Sequence, residues 1–326
     1  MTKTKPNPRT RTIRSYFKLL VWVLLVQLVL VNISAAFYAY NLSHYRNGPP
    51  PERNTSSNIF TKTWKIFVGP KFYKDTTEIP PLFPYENVNF ETGDGITVDA
   101  WYSKVDSAKA CVIICPGISG NKSYLAGFAE QFRQMGYNIL LIDFRGQGKT
   151  EGNTISFGVK ETRELTAAYE FVRSNGNQEI ILYGISMGAG ICIKAVADKN
   201  FRPSAIIADM PFGSLRGHLG ARATDLGFPS EPFASLVTIW IGIEQGFNGF
   251  SHDVKNYAEE LEVPIMIQCG TRDIYMDEEE LEKMYSGIPS KQKQLVLYPG
   301  SGHSSLLDAD PLKWQNNVRK FLQAVP

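Results

Sequence analysis

The stretch Gln178–Lys199, QEIILYGISMGAGICIKAVADK, decides how the rest of the chain is read. An apolar run ending at Tyr183 passes through Gly184-Ile185-Ser186-Met187-Gly188 into an apolar-periodic helical pattern. Glycines two residues either side of a serine fit a sharp strand-to-helix turn, where neighbouring backbone comes too close for a Cβ. Such a turn lifts the Ser186 hydroxyl clear of the sheet. It also starts the new helix at Met187, whose backbone N–H can face an oxygen that gains negative charge. The five-residue pattern alone fits an inert Gly-Ser turn equally well; the strand before it and the helix after it favour a nucleophile.

Working outward, other apolar runs repeat the strand half of this unit. They are Ala110–Cys115, Tyr137–Asp143, Ser204–Ala208, Val263–Cys269 and Gln294–Tyr298, continuous enough for strands buried on both faces. Helical patterns at Tyr124–Met135, Lys160–Asn175, Met187–Lys199, Glu278–Tyr285 and Asp310–Ala324 separate most of them. Ahead of them, Glu86–Thr92 and Ile96–Val105 flank Gly93-Asp94-Gly95 as a hairpin. The alternation predicts an α/β fold with a mostly parallel, doubly wound sheet. Between Asp209 and Val263 the alternation fails for about fifty residues, too long for a plain connection, so a helical lid is expected at about 210–260. The lid is dense in apolar side chains. Most must pack it onto the sheet, while Phe212, Phe233 and Trp240 are candidates to line an apolar acyl pocket.

A serine hydroxyl needs a base to take its proton, and the base needs a third group to fix its tautomer. Of the four histidines, His44 lies near the apolar N-terminal run and His218 and His252 fall in the lid. His303 follows the last strand and Pro299-Gly300-Ser301-Gly302, at a strand's carboxyl end, and is the expected base. Asp273, in Gly270-Thr271-Arg272-Asp273 just past Cys269, is the expected orienting acid, with Asp209 at the end of the preceding strand as the alternative. Asp277 suits a helix N-cap. Asp143 is expected to hold the glycine-rich turn that follows it, and Arg145 also reads as structural. The amides of Ile118, after the Pro116-Gly117 turn, and Met187 are the expected oxyanion donors.

Four motifs together resemble the α/β-hydrolase superfamily over roughly Asn87–Phe321: PGISGNK at 116–122, DFRGQGKTEG at 143–152, GISMGAG at 184–190, and GTRD at 270–273 paired with GSGHS at 300–304. Within it the chain is similar to membrane-tethered bacterial serine hydrolases of esterase or serine-aminopeptidase type and to single-pass abhydrolase-domain proteins. The resemblance implies hydrolysis of esters, thioesters or peptide bonds without a cofactor. Many relatives carry His-Gly where this chain has Pro116-Gly117. Ser186, Asp273 and His303 follow the chain order of that superfamily. The first expectation is an ester or acyl thioester of a small acyl substrate. A short aminoacyl substrate would need a carboxylate for its amine, for which Glu231 or Glu244 could serve, and a catalytically idle binding module is the remaining alternative.

The N-terminal end adds a membrane signal. Residues 19–40 carry no charge and are about long enough to span a bilayer. Lys3, Lys5, Arg9, Arg11, Arg14 and Lys18 precede that run with no acidic residue among them, predicting a cytoplasmic tail at 1–18 and a catalytic domain on the other side. A cleaved signal peptide ending near Ser34-Ala35-Ala36 is the alternative. Residues 41–84 read as an exposed spacer and membrane-proximal segment, with the hydrolase domain at 85–326. Asn41, Asn54 and Asn121 fall in glycosylation sequons.

Lys plus Arg number 34 against 32 for Asp plus Glu, which leaves no global field for nucleic acid. A 326-residue chain with 43% hydrophobic residues has room for a sizeable core. Cys111 and Cys115, four apart on one strand, would sit about 13 Å apart, beyond bridging distance. The four cysteines show no metal-ligand spacing. The sequence leaves the oligomeric state open.

Overall fold

Side-chain alternation along the apolar runs builds this molecule. The computed structural model describes residues 8–48, 60, 64, 67–118 and 120–325. In chain order these form a long helix, α1 (Pro8–Ser43), and the strands β1 (Glu86–Glu91), β2 (Thr97–Ser103) and β3 (Cys111–Cys115). Next come α2 (Ala126–Gln134), β4 (Asn138–Ile142), α3 (Thr162–Ser174), β5 (Ile180–Ile185), α4 (Met187–Ala197) and β6 (Ala205–Asp209). The inserted region holds α5 (Leu215–Asp225), α6 (Phe233–Gln245) and α7 (Val254–Ala258). The chain ends with β7 (Ile265–Gly270), α8 (Glu278–Gly287), β8 (Lys293–Tyr298), α9 (Leu306–Ala309) and α10 (Pro311–Ala324).

The strands form one sheet of eight in the order β1-β2-β4-β3-β5-β6-β7-β8. β1 and β2 pair antiparallel, as do β2 and β4, and every pairing from β4 onward is parallel. Both faces are buried, which explains the unbroken apolar runs. On β3, Cys111, Ile113 and Cys115 join one core cluster, while Val112 and Ile114 join another containing Phe132, Tyr183 and Trp314. β3 sits between β4 and β5, so the chain leaves it in opposite directions. The carboxyl ends of β3 and β5 therefore border a crevice.

The lid rests on a third cluster in which α1 takes part. Ala35, Tyr38, Ala39 and Leu42 are buried against Leu215, Leu219, Val237 and Ile241 of α5 and α6. These α1 positions follow the i, i+3, i+4, i+7 spacing of one helix face. Tyr38 meets Phe233 edge to face, ring centroids 4.8 Å apart. From Leu19 to Val31, by contrast, the large apolar side chains are exposed. Among the described residues one helical stretch, Arg14–Ser43, is long and apolar enough to cross a membrane.

The expected spacer differs from what the structure places there. Residues 41–43 continue α1, and Asn41, Leu42, Ser43 and Tyr45 are buried. The Tyr45 amide donates to Asn153 O at 2.6 Å and the Ile155 amide to Ser43 O at 2.9 Å, tying the helix end to the loop after β4. Once the helix continues past residue 40, its polar residues find partners. Asn41 Nδ2 donates to Val68 O at 2.7 Å. Asn41 and Asn121, both buried, leave no room for a glycan in the folded state. Asn54 and the prolines at 49–51 lie outside the described residues.

Candidate active site

The turn after β5 is fixed by contacts that only glycine permits. A Cβ on Gly184 would collide with the backbone of Gly188, and one on Gly188 with the carbonyls of Cys115 and Pro116. Between them Ser186 adopts φ 54° and ψ −114°, a conformation an L-residue keeps only when its surroundings over-determine it. The Ser186 amide donates to Asp209 O at 2.8 Å and its carbonyl accepts from Gly190 N at 3.1 Å.

The structure brings Ser186, His303 and Asp273 together from three separate loops. His303 Nε2 is 2.8 Å from Ser186 Oγ, and His303 Nδ1 is 2.7 Å from Asp273 Oδ2. The second Asp273 oxygen accepts the Tyr275 amide at 2.9 Å. That leaves the Asp273 carboxylate buried, facing the imidazole. Gly270 lets the two loops meet, since a Cβ there would strike the carbonyl of Ser301. Asp209 is committed elsewhere. It accepts from Tyr183 Oη at 2.7 Å, Gln268 Nε2 at 2.9 Å and Trp314 Nε1 at 3.0 Å, and burial raises its pKa to about 6. Asp277 caps α8 through Glu280 N at 2.8 Å.

The loop after β3 lies beside the serine: a Cβ on Gly117 would be in ordinary contact, 3.5 Å from Ser186 Cβ. Among the described residues, neither the Ile118 nor the Met187 amide donates to a backbone carbonyl. The carbonyls of this loop are held instead. Gln147 Nε2 donates to Gly117 O at 2.6 Å, and Tyr45 Oη donates to Ile118 O. Tyr45 belongs to the segment just after α1, so the end of the long helix braces the loop beside Ser186.

Asp143 supports this region from below. Its Oδ1 accepts the Lys122 amide at 2.5 Å and its Oδ2 accepts Lys122 Nζ at 2.8 Å. Gly148, at φ +46°, passes over the carboxylate where no Cβ would fit. Glu78 and Asp99 also pair with Lys122 Nζ. These three carboxylates lie close enough to hold a metal ion, but the fully buried ammonium already occupies the place between them. Arg145 is engaged with Glu164 at 2.6 Å and Asp94 at 3.1 Å.

Of the pocket candidates, Phe233 lines a groove of about 1410 Å³ between α1 and the lid. Trp240 packs against the α1–lid cluster, and Phe212 is buried in the core below α5, against Gly190. Two further residues border the site. Tyr275 lies edge-on to His303 with centroids 4.8 Å apart, and its other side stacks on His218 at 4.4 Å. His218 is half-buried with its Nδ1 enclosed, and desolvation lowers its pKa to about 3, keeping it neutral. Sequence patterns give no signal for either, because each acts through a face set by the lid's docking.

The eight-stranded order, the serine turn after β5 and the lid after β6 define an α/β hydrolase. The chain belongs to the family described as serine aminopeptidase, S33, whose profile matches residues 106–226 and 230–310. Among curated proteins it is similar to an uncharacterized membrane protein of Saccharomyces cerevisiae, 24% identical over 257 residues covering 78% of this chain and 84% of that one. It is also similar to the uncharacterized protein YfhR of Escherichia coli K12, 24% identical over 261 residues covering 75% and 85%. Among solved structures, an esterase of Pyrococcus furiosus superposes with TM-score 0.62 at 22% identity, covering 77% of this chain and 98% of that one. A bacterial membrane phospholipase A superposes with TM-score 0.54 at 14% identity, covering 74% and 86%. At these identities the superpositions establish the fold.

Proposed function

We propose that this hydrolase is a membrane-anchored serine hydrolase that cleaves a carboxylic ester or acyl thioester through Ser186, His303 and Asp273. One observation carries the reading: the unbroken hydrogen-bond chain Ser186 Oγ–His303–Asp273, at 2.8 and 2.7 Å. His303 Nε2 takes the proton as Ser186 Oγ attacks the acyl carbonyl, while Asp273 holds the proton on Nδ1 and stabilises the imidazolium. The Ile118 and Met187 amides donate to the oxyanion. A donor in that role contributes about 3 kcal/mol to the transition state. The imidazolium then protonates the leaving oxygen or sulfur. Water, deprotonated by the same imidazole, attacks the acyl-enzyme and releases the acid.

The ester reading is supported by the apolar lid and by solved neighbours titled as esterases. The family's aminopeptidase description favours a second reading, an aminoacyl substrate. Against it, Glu231 stands 3.7 Å from Arg216 and Glu244 accepts from Ser43 Oγ at 3.3 Å, so each carboxylate already has a partner. Anchoring by α1, with the basic tail in the cytoplasm and the hydrolase domain on the far side, rests on the uncharged run and the six cations before it.

A fluorophosphonate probe tests the nucleophile: it should label the full-length protein and leave Ser186→Ala unlabelled, and equal labelling of the two refutes the assignment. Turnover of short p-nitrophenyl esters should fall by about 10⁴-fold or more in His303→Ala. Faster hydrolysis of aminoacyl p-nitroanilides than of acyl esters selects the aminopeptidase reading.

A further inference from the structure

Among the described residues four buried polar side-chain atoms lack a hydrogen-bond partner, Trp101 Nε1, Glu164 Oε2, His218 Nδ1 and Arg222 Nε, and the last two stand together in the lid. His218 and Arg222 stand one turn apart on α5, and His218 Nδ1 and Arg222 Nε are both buried without a hydrogen-bond partner. Among the described residues no carboxylate lies within ion-pair distance of Arg222, whereas buried Lys122 has three and Arg145 two. Both residues are half-buried, and the Arg222 guanidinium lies over the Phe72 ring at 5.5 Å from its centroid, but the two enclosed nitrogens lack hydrogen-bond partners at a cost that a ligand completing the cluster would relieve. Both side chains line a small void together with Ile118 and Tyr45, directly beside the loop that flanks Ser186.

Arg222 also lines the far larger groove, where the wall is apolar. Leu30, Ala35 and Tyr38 of α1 form one side, Leu226, Phe233 and Leu236 of the lid another, and the segment 67–73 a third. At about 1410 Å³ it exceeds the roughly 300–1,000 Å³ typical of small-ligand pockets. Its α1 wall continues outward into the exposed apolar stretch Leu19–Val31. With α1 in a bilayer, this wall of the groove is continuous with a lipid-facing surface. Among the described residues two other charged side chains line it, Lys71 and Glu231, and the Glu231 carboxylate faces Arg216. The electrostatic balance around Arg222 favours an anion.

We infer that the groove and Arg222 form a subsite for an anionic membrane lipid: an acyl chain lies between α1 and the lid, and the phosphate of the headgroup meets Arg222. This rests on the serine-hydrolase reading and names its substrate class. The reaction is hydrolysis of the lipid's carboxylic ester: the acyl C–O bond breaks, and water supplies the hydroxyl of the released fatty acid and the proton of the released alcohol. No co-reactant beyond water is needed.

The test uses the full-length protein in mixed micelles of a nonionic detergent with dioleoyl phosphatidylglycerol or dioleoyl phosphatidylcholine. Fatty-acid release is expressed as a ratio to p-nitrophenyl acetate turnover by the same preparation, which corrects for folding. The wild-type ratio should be at least about tenfold higher with phosphatidylglycerol, the scale of a charge-assisted contact. Arg222→Gln should bring the two lipids to within about twofold of each other. Leu226→Glu, which puts a charge at the exposed lip, should lower both ratios about tenfold. Unchanged ratios in both variants overturn the inference. So does a wild type that hydrolyses p-nitrophenyl acetate but neither lipid, an outcome that leaves the serine-hydrolase reading intact. If the protein takes no fluorophosphonate label, that reading fails instead, and binding still decides the subsite. For this, Ser186→Ala protein is photolysed with a diazirine-bearing phosphatidylglycerol. Crosslinks should map to residues 27–38 and 222–236, and crosslinks elsewhere, or none because another segment or a second copy fills the groove, reject it.

Discussion

At Gly184–Gly188 backbone meets backbone, whereas along the seam between α1 and α6 side chain meets side chain. In the first region a single missing Cβ lets Gly188 lie against the carbonyls of Cys115 and Pro116, and Ser186 holds its unusual dihedrals because nothing around it can give. In the second, Tyr38, Leu42, Phe233 and Val237 fill space between two helices, and neighbouring side chains can readjust. The turn is therefore specified by the identity of a few residues. The seam is specified by apolar volume on facing surfaces, which many sequences supply.

The largest effect should come from attacking the turn. Gly188→Ala drives a methyl into main chain that cannot withdraw, and it should cost about 4 kcal/mol in urea unfolding, with the proposed hydrolase activity lost in parallel. A variant that keeps wild-type stability would mean that the turn is looser than its contacts imply. Next, Tyr38→Ala should cost about 3 kcal/mol, and the loss should be confined to the seam. Limited proteolysis would then cut within 215–245 while hydrogen exchange in β3 and β5 stays slow. Uniform loosening of sheet and lid together would show that the two regions are one cooperative unit.

The sheet half also suppresses ionisation. Burial lifts the Asp209 carboxyl from 3.8 to about 6, so the folded chain keeps this proton up to about pH 6 while the unfolded chain releases it at about 3.8. The folded state then binds more protons between those values, and stability falls as pH rises through that window, by on the order of 3 kcal/mol for this group. Asp209→Asn should flatten that part of a stability–pH profile, and an unchanged slope would assign it to other buried carboxyls such as Asp143. The smallest effect is at the junction of the two regions. Tyr45→Phe removes the hydrogen bond to the Ile118 carbonyl and should cost about 1 kcal/mol. It should lower kcat severalfold with little change in KM, because a loosened loop would misplace the Ile118 amide proposed as an oxyanion donor. A change in KM alone would indicate that Tyr45 touches substrate and does not position the loop.

Much of the candidate site could be placed from sequence because its residues sit at strand ends. Ser186, Asp273 and His303 each follow an apolar run, and glycines mark the turns that let their loops converge. The role of Asp209 was not legible. A carboxylate at the end of β6 is placed as well as Asp273 by sequence alone, and only the convergence of Tyr183, Gln268 and Trp314 removes it from contention. The extent of α1 was hidden for a different reason. A helix apolar on every face carries no periodic signal to say which face a partner covers, so the stripe Ala35, Tyr38, Ala39, Leu42 looked the same as its lipid-like surroundings.

The sequence by itself determined the alternation of strands and helices, the turn at Ser186 and the lid's existence, because unbroken apolar runs, glycine at close contacts and connection length are local properties. Only the tertiary structure decided that the end of α1 docks on the lid and that Tyr45 reaches the loop beside Ser186. It alone placed His218 and Arg222 with buried nitrogens unpaired beside an apolar groove. Those are contacts between segments far apart in the chain, fixed by how surfaces fit and not by any pattern along one of them.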